Sequence, residues 1–511
     1  MNNFDFYGAM ENKLNDRMVK TENGANAYAT AGKKILDFNF AINALRKTPD
    51  DVVQDLFADV YYENHLDAFL ELFFMRDVRG GSGERKIFRS CLRWLAENKS
   101  EPTKRVISLV AEYGRFDDLW CLLDTELKND VIKYVKNKLN EDIKKMNNNG
   151  HPSLLAKWMP SENASSKTTR RYFHILRNGL GMSERRYRKT LSKLRKYLDV
   201  LEVKMTSKRW NEIDYSTVPS QANLKYEAAF MRNDKERREE YLNSLKNGET
   251  KINARVLQPH EIVKRYNPSS RGWGDVGSSS VDPYDETLEQ LWKALPDITV
   301  ENCLVIRDGS GSMTWGYDKV RPLDVASALS IYMSEHNNGF WKDKFITFGN
   351  KPQIVNLENC NSLRDKLLLA YKYADCSNTN IEATMMLILT TALDNHCTKE
   401  DMPSSILIVS DMRFDRGCEH ADQSLFDYIA EEYRKHCYNM PKIVFWNVNE
   451  AMSEQTIPMK QNELGVVLIS GYSPQLLKMV MSNEVDPYKV LLEALHSERY
   501  LPVREAVEDL V

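Results

Sequence analysis

The sequence predicts a multidomain chain, all-α in its N-terminal part and α/β in its C-terminal part. Three observations predict it. From Phe40 onward, apolar residues recur at helical spacing in segments about one helix long, separated by polar or glycine-bearing turns. From about residue 298, strand-length apolar runs alternate with helical ones, the pattern of a mainly parallel sheet covered by helices. The charge also changes sign: Ser165 to Arg271 holds 25 Lys/Arg against 12 Asp/Glu, and Val300 to Val511 holds 20 against 30, within a net charge of −3. The expected parts are a helical region at 1–297, an α/β region at 298–482 and a helical tail at 483–511. The 511 residues are enough for roughly two to four domains.

Residues 1 to 40 read as a polar, irregular lead-in. Pro49-Asp50-Asp51 marks a turn and a helix start, and Val52, Leu56 and Val60 form the first clear apolar stripe. A second stripe runs through Leu66, Phe69, Leu70, Phe73 and Phe74. The glycine-rich stretch Arg79-Gly80-Gly81-Ser82-Gly83 then joins two helices. It is not a nucleotide-phosphate loop, because it lacks Gly-x-x-x-x-Gly-Lys-Ser/Thr and follows a helix rather than a strand. A helix is predicted over Lys86–Asn98 and another over Val106–Tyr113. Gly114 ends the latter, and Asp117-Asp118 opens the next. Antiparallel helix pairs repeating at ~35–45 residues predict a HEAT-like solenoid, a ring or an arc.

A charged helix fills 125 to 150, and the strongly basic stretch begins after Ser165. Arg170, Arg171, Arg177, Arg185, Arg186, Arg188, Lys189 and Lys193 run through two predicted helices, with Lys208 and Arg209 in the irregular segment beyond. Tyr172, Phe173, Tyr187 and Tyr197 are interleaved with them. Cations that meet phosphates and rings that stack on bases suit single-stranded RNA. The alternative is that the rings face the core and the cations are only solvated, and for the rings that alternative is preferred. Pro259 opens a further helix, in which His260 reads as a cap or a packed polar residue. The stretch 268–280 is rich in Gly and Ser and reads as a mobile loop, and Asp285 starts the last helix before the α/β region.

In the α/β region, Cys303 to Ile306 reads as a buried strand that stops at Asp308-Gly309-Ser310-Gly311-Ser312. A carboxylate and two hydroxyls at the carboxyl end of a strand form a hard oxygen surface suited to Mg²⁺ or Mn²⁺ and poor for zinc. Thr379 stands at the entry to the helix Ile381 to Leu393, and Asp411 ends the strand Ile406–Ser410, so two further oxygen ligands come from separate loops. Helices are expected over Val325–His336, Leu363–Tyr373 and Leu425–His436, and strands over 345–348, 353–357, 443–446 and 466–470.

Composition limits the function classes. No apolar run approaches the roughly 18 residues of a membrane span, and the N-terminus lacks a signal-peptide pattern. The 8 cysteines include no Cys-x-x-Cys pair, which fits a reducing, cytoplasmic setting without a zinc site. No nucleophile or general base accompanies the oxygen motif, so the chain is expected to bind rather than catalyse.

Residues 298–482, with Asp308, Ser310, Ser312, Thr379 and Asp411, resemble the von Willebrand factor A domain and its metal-ion-dependent adhesion site. Arg76-Asp77-Val78-Arg79-Gly80-Gly81 and Tyr113-Gly114-Arg115-Phe116-Asp117-Asp118-Leu119 resemble the N-terminal module of the Ro (TROVE) RNA-binding family. They are closer still to an uncharacterised group that fuses this module to a von Willebrand A domain, and Leu155 to Lys167 matches that group as well. The resemblance implies a helical repeat ring closed by a Rossmann-like A domain that holds Mg²⁺ or Mn²⁺. It further implies a ribonucleoprotein component that binds structured or misfolded noncoding RNA with a single-stranded end. In the A-domain family the metal keeps a position open for a partner's carboxylate. The rival reading is therefore a metal-dependent protein–protein adaptor that does not bind RNA.

Overall fold

The apolar run at 303–306 lies at the centre of a six-stranded sheet. The computed structural model describes residues 18–20, 26–28, 30–266, 281–314, 321–348, 352–373, 381–412, 425–448, 466–473, 476, 479 and 486–510. The predicted loop at 268–280 and Thr379 lie outside them. The chain forms two compact units, each assembled from separated segments. One holds Met1–Pro49 and Leu257–Ala494, and the other holds Asp50–Val256 and Leu495–Val511. The sheet unit therefore begins before the expected 298 and also takes in the first residues of the chain. The expected tail is divided at residue 495.

In the sheet unit, β1 (Met18–Lys20) and β2 (Asn26–Tyr28) pair as a small antiparallel hairpin. The main sheet consists of β3 (Cys303–Asp308), β4 (Lys344–Phe348), β5 (Ile354–Asn356), β6 (Ser405–Ser410), β7 (Lys442–Asn447) and β8 (Val466–Ser470), in the order β5-β4-β3-β6-β7-β8. All neighbours are parallel except β5, which returns antiparallel beside β4 at the edge. Every residue of β3 is buried, as befits a central parallel strand covered on both faces. The helix Pro322–Glu335 packs on this centre and is buried from Pro322 to Ser334, with proline in its first turn. Its Asp324 accepts a two-pronged bond from Arg321 at 3.1 and 2.8 Å and a bond from Tyr371 at 2.6 Å. Trp446 is fully buried and donates its indole N–H to the Gly471 carbonyl at 2.7 Å.

The helical unit contains α1 (Asp50–Glu63), α2 (His65–Arg76), α3 (Lys86–Asn98), α4 (Lys128–Asn147), α5 (Lys167–Gly179), α6 (Glu184–Tyr197), α7 (Ser220–Asn233) and α8 (Lys235–Lys246), joined either by short turns or by longer segments that carry shorter helical pieces. The predicted single helix at 106–113 is instead two pieces, Ser100–Val106 and Val110–Tyr113. Asp118 is completely buried. It receives Arg76 at 2.8 Å, Arg89 at 2.7 Å and the Arg115 backbone N–H at 2.9 Å. The two sequence motifs of this region therefore meet each other. Gly114 stands where they cross, and a Cβ there would lie 2.6 Å from the Asp118 carboxylate and 2.8 Å from Arg76. Gly81 is equally constrained, since a Cβ would fall 1.9 Å from the Phe74 carbonyl oxygen.

Leu495–Val511 completes this unit. Asp77, fully buried, takes both prongs of the Arg499 guanidinium, one at 2.7 Å, together with the Tyr500 hydroxyl at 3.1 Å. Tyr113 donates to the Arg499 carbonyl at 2.7 Å and stacks on Tyr500 with ring centroids 5.6 Å apart. His496 meets Asp67 at 2.7 Å. Among the described residues no helix is long and apolar enough to cross a membrane.

Candidate functional site

Two places in the structure carry the residues singled out by sequence. The first is the carboxyl end of β3 and β6. Because these strands are parallel neighbours, with Arg307 level with Val409, the residues that follow both emerge at one end of the sheet. Asp308 is completely buried. One carboxylate oxygen accepts the Ser310 backbone N–H at 2.8 Å and the other accepts the Ser410 hydroxyl at 2.5 Å. The turn Gly311–Thr314 brings the Ser312 hydroxyl to 3.1 Å from that of Ser310. Asp411, buried, follows Ser410 directly. The next residue, Met412, has φ +65°, a conformation that methionine seldom adopts, and its backbone N–H is held by Ser410 at 3.0 Å.

Burial pushes the Asp308 carboxyl above the usual carboxylate range, against the opposing pull of its bonds to Ser410 and Ser310 and of the Arg307 charge. A divalent cation would offset that desolvation cost, and every side chain gathered here offers oxygen. This donor chemistry fits Mg²⁺ or Mn²⁺. Ser410 was not singled out from the sequence. Its signal was its position at the last residue of an apolar strand, immediately before a carboxylate.

The second place is the basic face of α5 and α6. Ser166 and Ser183 cap these helices through their side chains. The packing alternative holds for two of the four rings. Phe173 and Tyr187 are buried edge-to-face at 5.2 Å, and the Tyr187 hydroxyl bonds the Pro160 carbonyl at 2.9 Å. Tyr197 is exposed but donates to the Gly150 carbonyl at 2.9 Å, and Tyr172 donates to Asp124 at 3.3 Å.

The cations divide as well. Arg171 pairs with Asp124 at 2.5 Å, Arg177 with Glu184 at 2.8 Å and Arg209 with Glu212 at 2.6 Å. Arg170 reaches the Ala164 carbonyl at 3.0 Å. Arg185, Arg186, Arg188, Lys189, Lys193 and Lys208 are exposed, and no ion pair to them is found among the described residues. Arg195, by contrast, holds the Ala156 and Met159 carbonyls at 2.8 Å each, and burial lowers its pKa. It fastens α6 to the preceding segment rather than facing solvent.

Comparison with known proteins adds family, not activity. A family described as Domain of unknown function (DUF2828) matches residues 166–301, and another, Domain of unknown function (DUF7788), matches residues 302–499. An uncharacterized protein of Acanthamoeba polyphaga mimivirus is 30% identical over 524 residues, covering 94% of this chain and 88% of its own length. Among solved structures, the RO (RSR) protein of Deinococcus radiodurans aligns over 91% of this chain and 99% of its own, with 14% identity and a TM-score of 0.47.

Proposed function

This chain belongs to the family of the uncharacterized mimivirus protein, and from that premise we propose that it is an RNA-binding ribonucleoprotein component that engages noncoding RNA through its basic helical surface. The observation that carries the reading is on α6. Arg185, Arg186, Arg188 and Lys189 follow one another on an exposed helix start with no acidic partner among the described residues. Four cations left open to solvent on one helix suit phosphates, which dominate nucleic-acid affinity. Because Phe173 and Tyr187 are buried, this surface reads backbone charge more than it stacks bases. In the same reading, Asp308, Ser310, Ser312 and Asp411, with Thr379 from its loop, hold Mg²⁺ or Mn²⁺ in an A-domain-like site. The metal there supplies a position for a partner's carboxylate, and the helical repeats form a ring or arc. The adaptor reading keeps one point in its favour, the buried oxygen cluster around Asp308.

The test is titration of a fluorescent single-stranded RNA at several salt concentrations. Changing Arg185, Arg186, Arg188 and Lys189 to Glu is expected to weaken binding at least ~100-fold and to flatten the salt slope by about 0.7 for each lost phosphate contact. Equal binding by parent and variant at every salt concentration gives the adaptor reading the lead.

A further inference from the structure

A second basic feature lies between α4 and α5; the sequence singled out its Arg170 and Arg171 but not the cleft they share with α4. A cleft of about 720 Å³ opens there, within the size of small-molecule sites. Its floor is apolar, made by Ile132 and Ile175, and its edge carries Lys128, Lys167 and Arg170, with His174 beside them. Gly179 brings the end of α5 close to α4. A Cβ at that position would lie 2.5 Å from the Ile132 side chain, so a larger residue there would push Ile132 aside. The start of α4 also faces this space through Lys128 and Asn129, and Leu127 at its N-cap offers no side-chain cap. The Lys128 N–H is taken by the Thr125 carbonyl at 3.2 Å and Asp130 stands in the first turn, so this helix end adds little and the cations of the rim carry the positive charge. The acids nearby are already engaged: Asp124 holds Arg171 at 2.5 Å, and Asp130 holds Lys104 at 3.1 Å. Lys128, Lys167 and Arg170 are exposed, without an ion pair among the described residues.

Positive rim, apolar floor and amide side chains at Asn129 and Asn178 call for a ligand with a phosphate, a flat apolar body and polar edges. We propose that this cleft seats one phosphorylated nucleotide, its phosphate against Lys128, Lys167 and Arg170 and its base over Ile132 and Ile175. The nucleotide is either one unit of an RNA strand or a free nucleoside monophosphate. In the first form the inference rests on the RNA reading above.

Full-length protein carrying Lys128→Gln and Arg170→Gln is compared with the parent, using decauridylate and uridine 5′-monophosphate as separate probes. A control, Arg232→Gln with Lys235→Gln, removes the same charge from α7 and α8. The cleft variant is expected to lose at least ~10-fold in decauridylate affinity and about 1.4 in salt slope, two contacts' worth. The control should change affinity less than ~3-fold. Loss of decauridylate affinity with no monophosphate binding by the parent marks a seat on a strand. Monophosphate binding that the cleft variant abolishes marks a free-nucleotide pocket, and this holds even if the parent binds no RNA, an outcome that overturns only the RNA reading. Parent-like binding of both probes by the cleft variant overturns the inference and leaves the RNA reading standing. A parent that binds neither probe overturns both.

Discussion

His260 shows how much a single side chain can decide. It lies in the helix Pro259–Tyr266, buried, with its ring 4.9 Å from that of Tyr472, and the Arg46 guanidinium sits 3.9 Å above the same tyrosine. Its Nδ1 is buried without a hydrogen-bond partner among the described residues. Burial, followed by the charges of Arg46 and Lys264, lowers its pKa to about 3 from 6.5. Between those two values the unfolded chain binds a proton that the folded one refuses, so stability falls as pH drops. From pH 7 to pH 5 the expected loss is about 2 kcal/mol. Urea unfolding of the parent and of His260→Gln checks it: the variant should lose that acid-side slope, and an unchanged slope would remove His260 from the account. The sequence identified this histidine as a packed polar residue because nothing near it in the chain could share a metal. It could not show Arg46 or Tyr472, which reach it from more than 200 residues away on either side. Legibility failed in the same way along the basic stretch. Counting charge located it, but whether an arginine meets solvent, like Arg185, or an acid, like Arg171 with Asp124, depends on packing that spacing does not encode.

At the scale of elements, strand ends were the most readable. β3 and β6 begin and stop within a residue or two of their apolar runs, because a central parallel strand is covered on both faces and its polar residues gather toward its end. The ends of these neighbouring strands bring Asp308, Ser310 and Asp411 to the carboxyl end of the sheet's centre. Mg²⁺ or Mn²⁺ at millimolar concentration is therefore expected to raise the melting temperature by a few degrees through linkage. Asp308→Ala should abolish that rise, and a variant that still responds fully to metal would discard the site. The Ser410 bond to Asp308 escaped the sequence reading because it depends on which strands are neighbours. The early start at Ser100 and the break before Val110 were not legible either, since Ser100–Val106 is polar apart from its last residue and shows no apolar period.

At the scale of the whole molecule, the sequence suggested three successive parts, and the structure instead shows two units built from interleaved segments. Apolar periodicity reports that a segment is buried and does not name the segment that covers it. The Asp77–Arg499 pair, 422 residues apart in the chain, lies beyond any local reading. Asp77 is completely buried, so removing Arg499 leaves a carboxylate without its cation. Arg499→Ala should lower the stability of the helical unit by about 3 kcal/mol, measured by urea unfolding. Arg499→Lys, which keeps the charge and loses the fork, should recover part of that loss. A parent-like midpoint for Arg499→Ala would show that Tyr500 and the Arg79 backbone N–H suffice for Asp77.

The same pair orders events in time. A ribosome delivers Asp77 long before Arg499, and domains emerging early usually fold as they emerge. The helical unit cannot pair Asp77 with Arg499 until the segment from Leu495 onward has been made. A chain halted before that point would keep a buried carboxylate without its cation, however much of it has been made.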